Sequence, residues 1–147
     1  MIYGTRTKYF DIALAEVRDN ISVKKDILGI GRPKAARKVT WNDVLDEAEV
    51  KIKGKTNSNT KVGNIINKGA TAVIGYPDGN SWRLENLIVM GSRTDGDWQP
   101  ITQGGDSGAV VIDKNLNVLG MVVATGEKVS YAIPMPEILE HAGIEIA

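Results

Sequence analysis

Short apolar runs alternate with clusters of turn-forming residues along most of the chain, the pattern of many brief strands. Phe10-Asp11-Ile12-Ala13-Leu14-Ala15-Glu16-Val17 reads as a strand entered by an aspartate. A polar and basic stretch from about Arg18 to Val39 follows, broken by Gly29, Gly31 and Pro33, and reads as a connector laid over a surface. Thr40 can cap a short helix, with the acidic Asp43 three positions on and Val44, Leu45 and Ala48 on one side. Val50 and Ile52 then alternate with lysines until Gly54 breaks the run, and a polar turn at Thr56 to Thr60 leads into Val62, Ile65 and Ile66. Ala70 to Tyr76 is apolar, and Pro77-Asp78-Gly79-Asn80 folds it into a hairpin with Trp82 to Met90. Thr94-Asp95-Gly96-Asp97 is a further loop. Ala109 to Ile112 and Val118 to Ala124 flank a turn at Asp113 to Asn117. Ser130 to Ile133 makes a last strand, and Pro136 to His141 a short terminal helix with proline at its start. Six or more short strands with regular turns predict a β-barrel or sandwich.

Composition agrees with that pattern. Sixteen glycines in 147 residues exceed the average usage of roughly 7% and suit a fold of many tight turns. The length fits one compact unit, and a 42% hydrophobic content is enough for a core. Eighteen basic residues cancel eighteen acidic ones, so charge favours neither nucleic acid nor an anionic membrane as partner. The basic stretch Lys24 to Lys38 is a local exception that reads as a solvated linker. With no cysteine there is no disulfide framework and no Cys-based metal site. No apolar run resembles a signal peptide or approaches the roughly 18 residues that span a bilayer, so the sequence reads as a soluble chain whose compartment is open.

Gln103-Gly104-Gly105-Asp106-Ser107-Gly108 is the most informative stretch. Alone, Gly-Asp-Ser-Gly is a good β-turn and needs no function. In context, Gly105-Asp106-Ser107-Gly108 resembles the nucleophile motif of the trypsin/chymotrypsin-like serine proteases, in particular their bacterial-type members. The run Ala109 to Ile112, the segment Leu119 to Ala124 and the ending Tyr131-Ala132-Ile133-Pro134 before a helix resemble the same family. Val50 to Thr56 and Thr60 to Ile65 are similar to the strand-turn-strand that opens its second barrel. Asp11-Ile12-Ala13-Leu14 resembles the segment that bears the triad aspartate. The matches run in order over nearly the whole chain.

The resemblance implies Ser107 as nucleophile, Asp11 as the orienting carboxylate, and the amides of Gly105 and Ser107 as an oxyanion hole. The order Asp11 before Ser107 agrees with the His, Asp, Ser order of the established triad template. The general base is missing: no histidine precedes Asp11, and the one histidine, His141, falls in the terminal helix, far from the expected cleft. By position in the family, Ile101 and Thr102 are expected at the base of the substrate pocket, with Ala124, Thr125 and Gly126 along its wall. No acidic residue stands at that base, which leaves a Lys or Arg preference unsupported and points to a small or apolar side chain. Val123 replaces a serine that in the family bonds the aspartate, and Thr125 stands near a usual glycine. Asp106 is expected to bond structurally rather than catalytically.

The expected fold is therefore all-β: a six-stranded antiparallel Greek-key barrel with a short C-terminal helix, similar to the second barrel of such a protease. Residues 1–39 would hold the aspartate strand and connector, and residues 40–147 the barrel. The expected activity is peptide-bond hydrolysis through an acyl-enzyme on Ser107, completed by a histidine-bearing N-terminal barrel, with no metal or organic cofactor. The rival is a catalytically inactive binding module. Either a fragment or a natural one-barrel protein fits, and both expect a partner chain, or self-association, over the exposed apolar face.

Overall fold

The computed structural model describes residues 2–56 and 59–146. In chain order the elements are β1 (Ile2–Arg6), β2 (Asp11–Ala15), α1 (Trp41–Leu45), β3 (Glu49–Ile52), β4 (Lys61–Gly75), β5 (Ser81–Thr94), β6 (Asp97–Gln99), β7 (Val110–Asp113), β8 (Val118–Thr125), β9 (Ser130–Pro134) and α2 (Met135–Ala142). The expected all-β class holds. Seven strands pair in the order β4-β3-β7-β8-β9-β5-β6, every named pairing is antiparallel, and β4 also pairs with β5. The pairings from β4 through β3, β7, β8, β9 and β5 thus return to β4. β1 and β2 form a separate two-stranded sheet.

Local chemistry explains most of these boundaries. Thr40 caps α1, its hydroxyl accepting from the Asp43 N–H while the Asp43 carboxylate accepts from the Thr40 N–H. Gly143, in the left-handed region, ends α2. Sequence reading separated Val62 to Ile66 from Ala70 to Tyr76, whereas β4 runs through both. Register shifts against β5 absorb the interruption, and Gly69 takes φ 65° within the shifted stretch. The strands β1 and β6 were not anticipated. The turn read at Thr56 to Thr60 includes residues 57 and 58, outside the described residues.

Two apolar clusters hold the sheet together. One joins Val50, Ile52, Ile65, Ile88, Met90, Val111, Leu119 and Val122. The other gathers Ile74, Leu84, Leu87, Ile112, Ile133 and Ile138, and takes in Ile12 from β2. Burying an aliphatic side chain of this kind contributes about 1.5–3 kcal/mol, so Ile12 is an apolar anchor of the β1–β2 hairpin. Polar ties supplement it: Trp82 Nε1 donates to the Thr7 carbonyl at 2.8 Å and the Glu85 N–H to the Lys8 carbonyl at 2.7 Å. The connector between β2 and α1 contains no helix or strand among the described residues. It crosses the sheet through Ala36, bridged to Val118, and Arg37, whose guanidinium binds both Asp43 and Asp113.

Candidate active site

Two consecutive turns build the loop between β6 and β7. The Asp106 N–H donates to the Gln103 carbonyl at 3.1 Å, and the Ala109 N–H to the Asp106 carbonyl at 3.0 Å. Gly105 (φ 102°) and Gly108 (φ 92°) lie in the region that favours glycine, so the sequence must place glycine on both sides of the serine. The loop is anchored from below by Asp106, only 5% exposed. Its Oδ1 accepts from the Thr56 N–H at 3.0 Å and the Thr56 hydroxyl at 2.6 Å, and its Oδ2 from the Gln103 N–H at 2.9 Å. Burial alone would push this carboxyl up. The Thr56, Gln103 and Lys55 donors outweigh it and hold the group below the usual carboxylate range. Gly54 is required beside it, because a Cβ there would collide with the Asp106 carboxylate.

Ser107 rides exposed at the junction of the two turns. Its hydroxyl donates to the Val123 carbonyl on β8 at 3.2 Å. Among the described residues, the N–H groups of Gly105 and Ser107 find no acceptor within the chain. Ser107 borders an open cleft of about 560 Å³, lined also by Tyr76, Gln103, Gly104, Ala124, Thr125, Gly126 and Tyr131.

Asp11 reaches this cleft only indirectly. It is not in the lining; Tyr76 is, and the Tyr76 hydroxyl donates to Asp11 Oδ2 at 2.6 Å. Arg6 approaches Asp11 Oδ1 at 3.5 Å and lays its guanidinium 4.3 Å from the centre of the Tyr76 ring. Burial, followed by the bond to the Asp11 carboxylate, pushes the Tyr76 phenol up to about 12. His141 stacks on Phe10, the residue that precedes Asp11, with ring centres 4.4 Å apart.

Of the expected pocket residues, Ala124, Thr125 and Gly126 line the Ser107 cleft, while Ile101 and Thr102 do not. Both are buried, because the buried Ser130 hydroxyl draws them inward: it accepts from the Ile101 N–H at 3.1 Å and from the Thr102 hydroxyl at 2.7 Å. Their edges face a smaller depression, of about 340 Å³, shared with Lys61, Ser92 and Gln99. The Thr102 hydroxyl also meets that of Thr125 at 2.6 Å. Sequence reading missed Tyr76, Thr56 and Ser130. Each acts through a partner 28 to 65 residues away, and only the turn after Tyr76 gave a local signal.

The fold is that of the bacterial trypsin/chymotrypsin-like serine proteases. Among solved structures the chain is similar to Cellulomonas bogoriensis chymotrypsin, with 18% identity and a TM-score of 0.69 over 99% of this chain and 74% of that one. Thermobifida fusca protease A gives 16% identity and a TM-score of 0.70 over 99% and 73%. A glutamic acid specific serine protease, described as using a histidine triad in substrate binding, gives 17% and 0.69 over 99% and 72%. No protein-family model and no curated protein matches the sequence.

Proposed function

We propose that the chain is a serine endopeptidase-like domain that hydrolyses peptide bonds through an acyl-enzyme on Ser107 once a histidine-bearing barrel supplies the general base. One observation carries this reading: an exposed hydroxyl sits between two turns, flanked by N–H groups of Gly105 and Ser107 that find no acceptor among the described residues, at the rim of a cleft that can admit a peptide side chain. In the reaction Oγ attacks the scissile carbonyl carbon as the base takes the serine proton. The two N–H groups donate to the oxygen that gains charge, and the C–N bond breaks as the base returns the proton to the departing amine. Water then attacks the acyl carbon with the same base, releasing the acid and restoring the hydroxyl. Asp11 would orient the base by accepting its second N–H. The supplying barrel would cover Val73 and Trp82, which stand 69% and 38% exposed beside the hairpin.

A second reading, a binding module without turnover, draws support from the proton positions. The Ser107 proton rests on a carbonyl that cannot act as base, and Tyr76 closes the carboxylate of Asp11. A serine-directed fluorophosphonate separates the two. The intact chain is treated with and without imidazole as a surrogate base, and the adduct is located by mass spectrometry. Imidazole-dependent labelling confined to Ser107 and lost in Ser107→Ala is expected. A serine that stays unlabelled with imidazole leaves the binding module as the reading.

A further inference from the structure

Three hydroxyls of the cleft lining, those of Thr125, Tyr76 and Ser107, have protons committed away from it. Ser130 Oγ already accepts from the Ile101 N–H and from Thr102, so the single Thr102 proton goes to Ser130. The 2.6 Å contact between Thr102 and Thr125 then has one possible direction: Thr125 donates and Thr102 accepts. Thr125, exposed in the cleft wall, therefore shows the cleft only lone pairs. Tyr76 gives its proton to Asp11 and Ser107 gives its own to the Val123 carbonyl, so these two lining oxygens are also acceptors. No Asp, Glu, Lys or Arg is in the lining among the described residues. Asp11 lies outside the lining and accepts from the Tyr76 hydroxyl, and Asp106 is buried under the loop, saturated by Thr56 and Gln103.

We infer that the cleft selects a peptide whose anchoring side chain is an uncharged hydrogen-bond donor, a carboxamide of the Gln or Asn type. This rests on the reading that peptides occupy the Ser107 cleft. A carboxylate side chain sets acceptors against the Thr125, Tyr76 and Ser107 oxygens, and with no cation in the lining it gives up its hydration for at most the neutral donors of Gln103 and Tyr131. An ammonium or guanidinium finds lone pairs but no facing charge. An aliphatic side chain leaves the Thr125 oxygen dry and unpaired. A carboxamide offers its N–H to Thr125, and Gln103, exposed on the same rim, can donate to its carbonyl.

Glutamine and glutamate peptides, nearly equal in shape, make the test. Four otherwise identical blocked peptides carrying Gln, Glu, Lys or Leu are titrated into the intact chain, and the backbone amide signals of Ser107, Thr125 and Gly126 are followed by NMR. The Gln peptide is expected to bind about tenfold more tightly than the Glu peptide, the worth of roughly one hydrogen bond plus avoided desolvation. Thr125→Val, which keeps the shape and removes the oxygen, is expected to abolish the difference, and Thr125→Ser to restore it. Equal or tighter binding of the Glu peptide, or an unchanged ratio in Thr125→Val, overturns the inference while leaving the cleft a peptide site. Signals that no peptide shifts overturn the peptide-cleft reading itself, and the inference with it.

Discussion

Replacing Asp106 by asparagine isolates what fastens the serine loop. The substitution keeps volume but exchanges one oxygen for an NH2 donor. In the better of the two amide orientations the carbonyl oxygen replaces Oδ1 and still receives both Thr56 donors, while the NH2 faces the Gln103 N–H, donor against donor. One charge-assisted bond is lost and a buried N–H is stranded, a cost of about 2–3 kcal/mol. Against a domain stability on the order of 5–15 kcal/mol this is a large share, and it corresponds to a melting point lower by roughly 5–10 °C. The pH dependence gives a second handle. The folded-state pKa of Asp106 lies below its ordinary 3.8, so its stabilisation is present in full above 3.8 and is lost as pH falls through the lower folded value. Asparagine does not titrate, so the gap between the two proteins is wide at pH 7 and closes in acid below 3.8. Thermal unfolding followed by circular dichroism at pH 7, 5, 4 and 3 measures it. An Asp106→Asn protein that melts with the parent at pH 7, or a gap that is the same at pH 7 and pH 3, refutes the account of a carboxylate clamp.

Two further outcomes follow from the same physics. The Tyr76 phenol is raised to about 12, so the difference absorbance at 295 nm should contain a tyrosinate step that Tyr76→Phe removes and that Asp11→Asn moves to lower pH; because the folded value is the higher one, the Tyr76 contribution to stability persists below pH 10 and disappears between 10 and about 12. Arg37 binds Asp43 in two-pronged fashion and Asp113 through Nε, so Arg37→Ala should cost about 2–4 kcal/mol in urea unfolding at neutral pH, with Arg37→Lys recovering only part of it.

What the sequence revealed divides along contact range. The Thr40 and Asp43 capping box lies within three residues and was readable. So were the hairpin turns at Pro77 to Asn80 and Asp113 to Asn117, and the glycines that Ser107 needs on either side. The short strand β6 was readable in principle as well: Asp95 and Gly96 both take positive φ, the signature of a two-residue hairpin turn, and Thr94 pairs directly with Asp97. Reading 94–97 as a plain loop overlooked that chemistry. The Tyr76 bond to Asp11 and the Thr56 bonds to Asp106 span 65 and 50 residues. No local pattern encodes them, because a tyrosine after an apolar strand and a threonine in a polar turn are both ordinary. The same holds for Ile101 and Thr102. They sit where the resemblance puts pocket residues, but Ser130 on β9 supplies an acceptor that turns them into the protein.

The distribution of buried polar groups bears on what the fold is arranged to keep. Among the described residues the buried polar or charged side chains are Thr102, Asp106, Asp113 and Ser130. Asp113 ties the connector down. The other three lie under the Ser107 cleft: Asp106 pins the loop, and Thr102 with Ser130 fixes the direction of the Thr125 hydroxyl. Apolar residues in such places would serve stability at least as well, since a buried polar network is costly unless every member finds its partner. The network therefore makes sense as a means of orienting lone pairs and N–H groups toward the cleft. If peptides occupy the cleft as proposed, their recognition draws on groups of this chain, whereas the proposed turnover needs one proton acceptor more.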